Sequence, residues 1–251
     1  MHDLLADLHL HTCLSPCGSL EMSPTCIVET ALERGLQVIA VTDHNATMQC
    51  GAIQEVGQER GLTVFAGVEV TTREEAHCLL FFPDETTRLA FQTYIDTWLP
   101  PMPNDPERFG DQVWVNRYDE IEGEAPYLLI SALNRSVNQI AAYARQLGCL
   151  FVPAHVERPM NSLIGQLGFI DPTLPIDAVE YNQAKRFAPL LSSHRYLNKH
   201  TLYTASDAHY PEQIGTNPSL WHTDTPTFDS LRRAFAGVEG YSIRSASSEP
   251  I

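Results

Sequence analysis

The chain has 251 residues, of which 43% are hydrophobic, and this is enough for one well-buried core. Its 16 basic and 31 acidic side chains leave a formal net charge of −15, which repels nucleic-acid phosphates, so we expect duplex nucleic acid to be an unlikely partner. No run of 18 apolar residues suggests a membrane span, and the start of the chain lacks the features of a signal peptide, so we expect a cytoplasmic protein.

The first predicted strand carries two histidines on one face. Residues alternate within Ala6–Thr12, so that His9 and His11 point to one side and Leu8 and Leu10 to the other. Two imidazoles two residues apart on one strand face can bind a single metal ion. The alternative is a pair of surface or core histidines with no ligand.

Strands and helices then alternate along the chain. The apolar run Gln37–Thr42 is typical of a strand buried on both faces, and glycines such as Gly35 and Gly61 end the helices beside it. In chain order we predict a helix from Pro24 to about Arg34, strand Gln37–Thr42, a helix ending near Arg60, strands Leu62–Ala66 and His77–Phe82, a helix over 86–99, helix Ser136–Gln146, strands Leu150–His155 and Ala178–Asn182, helix Ala188–Lys199, strand Leu202–Ser206, helix Thr227–Phe235 and a terminal strand Tyr241–Arg244.

About seven strand–helix units predict an α/β fold, with a mostly parallel sheet and helices outside it. At this length we expect one domain over residues 1–251, closed into a distorted (β/α)7 barrel, with an open doubly wound sheet as the alternative. Residues 100–126 depart from the pattern because four prolines follow one another closely at its start. We expect an inserted or lid element there, although a plain linker fits equally well.

Residues that bind metals cluster at the predicted strand ends. In barrels of this kind functional side chains lie at the carboxyl ends of the strands, and His77, at a strand start, faces the same loops. Imidazoles and carboxylates together suit Zn, Mn or Fe, and Glu69 could bridge two ions. The set is too large for one ion, so we expect two or three divalent metals: His9, His11, His44, Glu69, His77, His155, Asp207 and His209.

The order of these motifs resembles the PHP (polymerase and histidinol phosphatase) family. The motifs are Asp7-x-His9-x-His11, Thr42-Asp43-His44, Gly67-Val68-Glu69, His77, Pro153-Ala154-His155 and Ser206-Asp207-Ala208-His209. The resemblance implies a PHP-type distorted (β/α)7 barrel that hydrolyses phosphate esters with up to three metals. By motif position it implies a first metal on His9, His11, Glu69 and Asp207, a second on Glu69, His77 and His155, and a third on His44 and His209.

Cys17 stands where the family commonly has a further histidine or aspartate for the third metal. A thiolate is a good Zn or Fe ligand, so Cys17 is a candidate ligand. A reduced loop cysteine beside a weak or absent third metal is equally compatible with the sequence. A Cys13–Cys17 disulfide is a third interpretation, disfavoured in a reducing compartment.

Basic residues near the strand ends are candidates to hold a substrate phosphate, since the guanidinium group offers a bidentate fork. The best placed is Arg158, three residues after His155, followed by Arg135, Lys185 and Arg186. Asp7 and Asp43 are next to predicted ligands and could accept hydrogen bonds from ligand imidazoles, or could serve as turn and helix caps.

The sequence thus predicts a metal-dependent phosphoesterase that acts on a small phosphorylated metabolite or nucleotide. We expect a metal-bound hydroxide to attack phosphorus in line, with Asp207 or His209 handling the proton. The alternatives are an exonuclease on oligonucleotide ends, a metal-dependent amidohydrolase and a non-catalytic metal-binding domain.

Overall fold

The computed structural model describes residues 1–247 and contains a curved seven-stranded sheet flanked by helices. The strands are β1 His2–Leu10, β2 Val38–Val41, β3 Thr63–Thr71, β4 His77–Phe81, β5 Val113–Val115, β6 Ile121–Glu124, β7 Leu150–Pro153, β8 Val179–Glu180, β9 Leu202–Tyr203, β10 Ser219–Thr223 and β11 Ser242–Ser245. The helices are α1 Pro24–Glu33, α2 Cys50–Arg60, α3 Glu85–Trp98, α4 Pro106–Phe109, α5 Val137–Gln146, α6 Leu163–Leu167, α7 Ala184–Ser193 and α8 Phe228–Ala236, with 3-10 helices at Arg195–Lys199 and Pro211–Gln213.

The sheet has the order β11-β10-β1-β2-β3-β4-β7. Strands β1, β2 and β3 run parallel, whereas β4 is antiparallel to both β3 and β7. The short parallel pair β8–β9 continues the curve: Val156 N–H donates to the Glu180 carbonyl, and Leu10 forms a parallel bridge with Ala208. The strands from β7 to β9 therefore return to β1, and the predicted α/β fold with a distorted barrel is confirmed.

The reversal of β4 explains how His77 reaches the ligand side of the barrel. Only residues 72–76 join β3 to β4, which is too short for a crossover helix, so the two strands form a hairpin. The start of an antiparallel strand lies beside the carboxyl end of its neighbour. His77, the first residue of β4, pairs with Thr71 at the end of β3.

Both faces of the sheet are buried, which explains the continuous apolar run of β2. Val38 and Ala40 pack in the cluster that contains Trp221 and part of α8, whereas Ile39 and Val41 pack against α1 and α2. The site is thus built on a rigid sheet. Among residues 1–247, none of the helices is long and apolar enough to cross a membrane.

The sheet was expected to be mostly parallel, but four of its six strand pairs are antiparallel. Several elements differ from the sequence prediction as well, among them β10 and α7. Strand β10, Ser219–Thr223, was not predicted, because two of the three residues on its buried face are polar (Ser219 and Thr223). It pairs antiparallel with residues 2–6 of β1. Helix α7 begins at Ala184 rather than at Ala188, so Pro189 lies inside it, and the chain beyond His194 continues as a 3-10 helix. The prediction had wrongly placed that proline in the first turn.

Residues 100–126 contain the short α4 and the hairpin β5–β6. This segment packs on α2 and on the loop that follows β1: the Gln49 side chain pairs with both main-chain groups of Val115, and Gly110 lies against the carbonyl of Pro16. A side chain at Gly110 would collide with that carbonyl. The role of residues 100–126 as a lid over the strand ends stays a prediction.

Candidate metal centre

Four ligand atoms converge at the carboxyl ends of β1, β3 and β9. His9 Nε2 lies 3.1 Å from His11 Nε2 and 3.2 Å from Asp207 Oδ1, and His11 Nε2 lies 3.1 Å from the same oxygen. Glu69 completes the group, with its oxygens 3.5 Å from His9 Nε2 and 3.4 Å from His11 Nε2. All four side chains are buried.

Hydrogen bonds fix which nitrogen of each histidine carries the proton. His9 Nδ1 lies 3.0 and 3.1 Å from the two oxygens of Glu180, so it donates to them and leaves a lone pair on Nε2. Ser15 Oγ gives its one proton to Asp43 at 2.7 Å, and therefore accepts from His11 Nδ1 at 3.0 Å. In the neutral forms of His9 and His11 that can bind a cation, the Nε2 lone pairs therefore face each other.

This arrangement fits a cation. A tetrahedral ion at about 2.1 Å from each ligand separates neighbouring ligands by about 3.4 Å. The five contacts given above are 3.1–3.5 Å, with Glu69 facing His9 through Oε1 and His11 through Oε2. Two imidazole lone pairs and two carboxylates facing one buried point repel one another unless protons or metal ions lie between them.

Glu69 links this group to a second one. Its Oε1 lies 3.0 Å from His77 Nδ1 and 3.0 Å from His155 Nε2, while its Oε2 lies 3.0 Å from His44 Nδ1. Backbone hydrogen bonds hold Glu69 beside the end of β2, since its N–H donates to Asp43 and its carbonyl accepts from Asn45. One carboxylate thus contacts five histidines, as a bridging ligand does.

A third group contains His11, His44 and His209. The rings of His11 and His209 stack with centroids 4.1 Å apart, and the His11 and His44 centroids are 4.4 Å apart. Cys17 is an exposed, free thiol beside His44 and is close enough to affect its pKa. Its sulfur is not part of the three compact ligand groups found among residues 1–247.

Strained backbone at the strand ends presents two of these ligands. His155 and Asp207 have φ values of 31° and 54°, in the left-handed region that side chains other than glycine seldom adopt. Such conformations cost about 1–3 kcal/mol each and persist where surrounding structure enforces them, often at functional sites. The strain therefore agrees with a functional role for this rim.

The charges of the group divide its histidines into two kinds. Burial lowers the pKa of His11, but the carboxylates of Asp207 and Glu69 outweigh it and raise the pKa to about 9. Burial also lowers the pKa of His44, and the charge of Glu69 raises it to about 9. In His209 burial dominates and, with the charge of His11, lowers the pKa to about 3. A metal ion must therefore displace protons from His11 and His44 at neutral pH.

The predicted phosphate-binding residues occupy different surroundings. Arg158 lies at the site, where its Nη2 is 2.5 Å from Asp207 Oδ2 and a third of its side chain is exposed. The Arg135 guanidinium instead stacks 3.0 Å above the Trp98 ring centroid. Lys185 and Arg186 are exposed in the first turn of α7. Of the four, Arg158 is thus the one that touches a predicted ligand.

The two aspartates next to predicted ligands do not contact an imidazole directly. Asp7 accepts from the N–H groups of Ser206 and Gly215, and burial raises its pKa to about 6. Asp43 reaches His11 only through Ser15. The sequence analysis missed Ser15 and Glu180. A charged residue inside the apolar run 178–181 was the available signal for Glu180, whereas a serine in a polar loop offers none.

Comparisons with known proteins agree with this site. The PHP domain family matches residues 7–147. A protein of Methanocaldococcus jannaschii that has no described function is 33% identical over 89 residues, which are 32% of this chain and 52% of that protein. The phosphoribosyl 1,2-cyclic phosphate 1,2-diphosphodiesterase of Eggerthella lenta is 34% identical over 68 residues, which are 27% of this chain and 25% of the enzyme. The chain thus spans about half or less of the length of these relatives.

Solved structures share the fold. The lesion-specific endonuclease of Pyrococcus furiosus has a TM-score of 0.73 at 21% identity, and the match covers 96% of this chain and 58% of the endonuclease. A protein of Bifidobacterium adolescentis, proposed to be a metal-dependent phosphoesterase, has a TM-score of 0.57 at 18% identity. That match covers 81% of this chain and 87% of the other protein. Both matches are below 25% identity and show a shared fold.

The expectation that duplex nucleic acid is an unlikely partner was wrong. Endonuclease Q, which has this fold, has been solved with a 27-mer duplex carrying an abasic lesion at the active site, with a TM-score of 0.73 and 22% identity over 96% of this chain. The net charge of −15 is a sum over the whole chain. It does not give the electrostatic potential at the predicted ligands, where Arg158 and bound cations would act locally. The family match covers more than half of the sequence and includes the end of the first strand with His9 and His11, so the chain belongs to the PHP domain family.

Proposed function

We propose that this chain is a hydrolase of phosphoric esters that works with two or three divalent metal ions, Zn, Mn or Fe. The observation that carries the proposal is the convergence of His9, His11, Glu69 and Asp207 at tetrahedral spacing, with Glu69 shared by the neighbouring histidines. The first metal would bind these four residues, the second Glu69, His77 and His155, and the third His44, His209 and Cys17.

Bound metals would supply Lewis acidity, neutralising charge on the phosphoryl oxygens and lowering the pKa of water. Arg158 lies beside the predicted ligands, and one N–H group of its guanidinium can donate to a phosphoryl oxygen instead of to Asp207. His209 is about a fifth exposed, and its low pKa keeps it neutral, which suits a ligand of the third metal. It is a candidate to pass a proton at the leaving oxygen when that metal is absent. Asp207 anchors both residues, through Arg158 Nη2 and through its carbonyl to His209 Nδ1.

A phosphodiester is the ester class that we propose first. The diphosphodiesterase and the endonuclease among the similar proteins both act, by name, on diesters. Nucleotide diesters and duplex DNA with an abasic site therefore belong in the same comparison as a simple phosphomonoester. The match to the endonuclease shows a shared fold, so DNA cleavage is the second candidate to be measured rather than assumed.

The test is turnover of a matched set of substrates by metal-depleted protein that is reloaded with Mn²⁺, Zn²⁺ or Fe²⁺. We expect metal-dependent hydrolysis of p-nitrophenyl phosphate, bis-p-nitrophenyl phosphate, a short oligonucleotide or a duplex with an abasic site, and loss of it in His9→Ala. His222→Ala is the control, because this exposed histidine pairs with Asp3 on the other end of β1. Hydrolysis that survives chelation, or none of any ester, would refute the proposal.

A further inference from the structure

Glu180 is a buried carboxylate that lies behind the first metal position. It is wholly inaccessible to solvent at the end of β8, and its two oxygens lie 3.1 and 3.0 Å from His9 Nδ1. That nitrogen is on the opposite edge of the ring from Nε2, which faces Glu69 and Asp207. Glu180 therefore lies outside the ligand group and touches it only through His9.

The same carboxylate holds a second ligand through its main chain. The His155 N–H donates to Glu180 Oε1 at 3.3 Å, and His155 has the strained φ of 31°. A hydrogen bond from the amide of a strained residue to a buried carboxylate stabilises the turn that presents its side chain. His155 Nε2 in turn lies 3.0 Å from Glu69, on the side of the second metal position.

We propose that Glu180 is a positioning residue that orients one ligand of each of two metal ions, His9 for the first and His155 for the second. The inference rests on the metal centre described under the proposed function. It assigns Glu180 two tasks. It keeps the His9 proton on Nδ1, so that Nε2 is free to bind the metal. The negative charge of Glu180 also makes Nε2 a stronger ligand. It also fixes the turn at His155.

A carboxylate at the other end of the same strands provides a matched control. Asp177 precedes β8, and its Oδ2 accepts from the N–H of Phe151 in β7 at 2.8 Å. Asp177 and Glu180 thus both tie the β8 segment to the β7 segment. Glu180 is next to the predicted ligands, whereas Asp177 is at the amino end of the strands.

The experiment compares Glu180→Gln, Glu180→Asp and Asp177→Asn with the full-length wild type. The apparent Zn²⁺ affinity is measured against a chelator of known strength, together with the number of ions bound and the rise in Tm that Zn²⁺ produces. Loss of an outer carboxylate typically weakens metal binding about 10- to 100-fold, so we expect that loss and a smaller metal-induced rise in Tm for Glu180→Gln.

The aspartate variant separates positioning from charge alone. Its carboxylate is one methylene shorter and cannot reach both His9 and His155, so we expect it to bind Zn²⁺ more weakly than the wild type. Asp177→Asn should lower Tm by the same amount with and without metal. Wild-type Zn²⁺ affinity in Glu180→Gln, or full rescue by Glu180→Asp, would overturn the inference. Absence of bound metal in the wild type would instead refute the proposed function.

Discussion

Metal binding should depend steeply on pH, because buried carboxylates raise the pKa of three predicted ligands, His9, His11 and His44. The pKa values of His11 and His44 are raised to about 9, and both must lose their protons to bind a cation. At pH 7, two units lower, each displaced proton weakens binding about 100-fold, or by about 3 kcal/mol. His11 belongs to the first proposed metal position and His44 to the third, so each of these two positions should lose at least about 100-fold in affinity between pH 9 and pH 7.

Calorimetric titration of metal-free protein with Mn²⁺ tests this linkage. Repeating the titration at pH 7.5 in two buffers of different ionisation enthalpy counts the protons released. We expect about two for the first metal, from His9 and His11, and about one for the third, from His44. Metal-free protein should also lose stability as the pH rises from 6.5 through about 9, because a raised folded-state pKa stabilises the fold only while the group is protonated. Zero proton release with a flat affinity between pH 7 and pH 9 would refute the reasoning.

Three further substitutions test separate parts of the site. Glu69→Ala should reduce bound metal by more than one ion per chain in elemental analysis, since this carboxylate belongs to two of the three ligand groups; loss of a single ion would contradict bridging. Asp7→Ala should destabilise the protein by about 2–5 kcal/mol in urea unfolding, because it leaves the N–H groups of Ser206 and Gly215 unpaired, whereas the exposed Asp3→Ala should change little. Arg158→Ala should lower kcat/KM about 10- to 150-fold at unchanged metal content, with partial recovery in Arg158→Lys; equal activity of all three proteins would remove Arg158 from substrate binding.

Strand ends were the part of the site that the sequence could predict. A parallel strand leads its last residues to one rim, so the histidines after β1, β2, β7 and β9 could be grouped from chain order alone. His77 also followed from its position at a strand start, since a short hairpin reverses β4. The compact groups found in the structure contain seven of the nine predicted metal ligands, without His155 and Cys17.

Contacts that depend on how loops fold back could not be predicted. Ser15 acts on His11 only because its loop brings it to Asp43, and nothing local distinguishes it from other loop serines. Arg135 ranked second to Arg158 by position, yet its guanidinium stacks on Trp98 at the end of α3. Whole-chain charge misled in the same way, since it averages over surfaces that the fold separates.

Anomalous diffraction from crystals soaked in Mn²⁺ or Zn²⁺ tests the central claim most directly. The account predicts a peak at about 2.0–2.3 Å from His9 Nε2, His11 Nε2 and one oxygen each of Glu69 and Asp207, with a second peak between Glu69, His77 and His155. Peaks confined to other surfaces, with the His9 and His11 rings still facing each other at 3.1 Å and no ion between them, would contradict it.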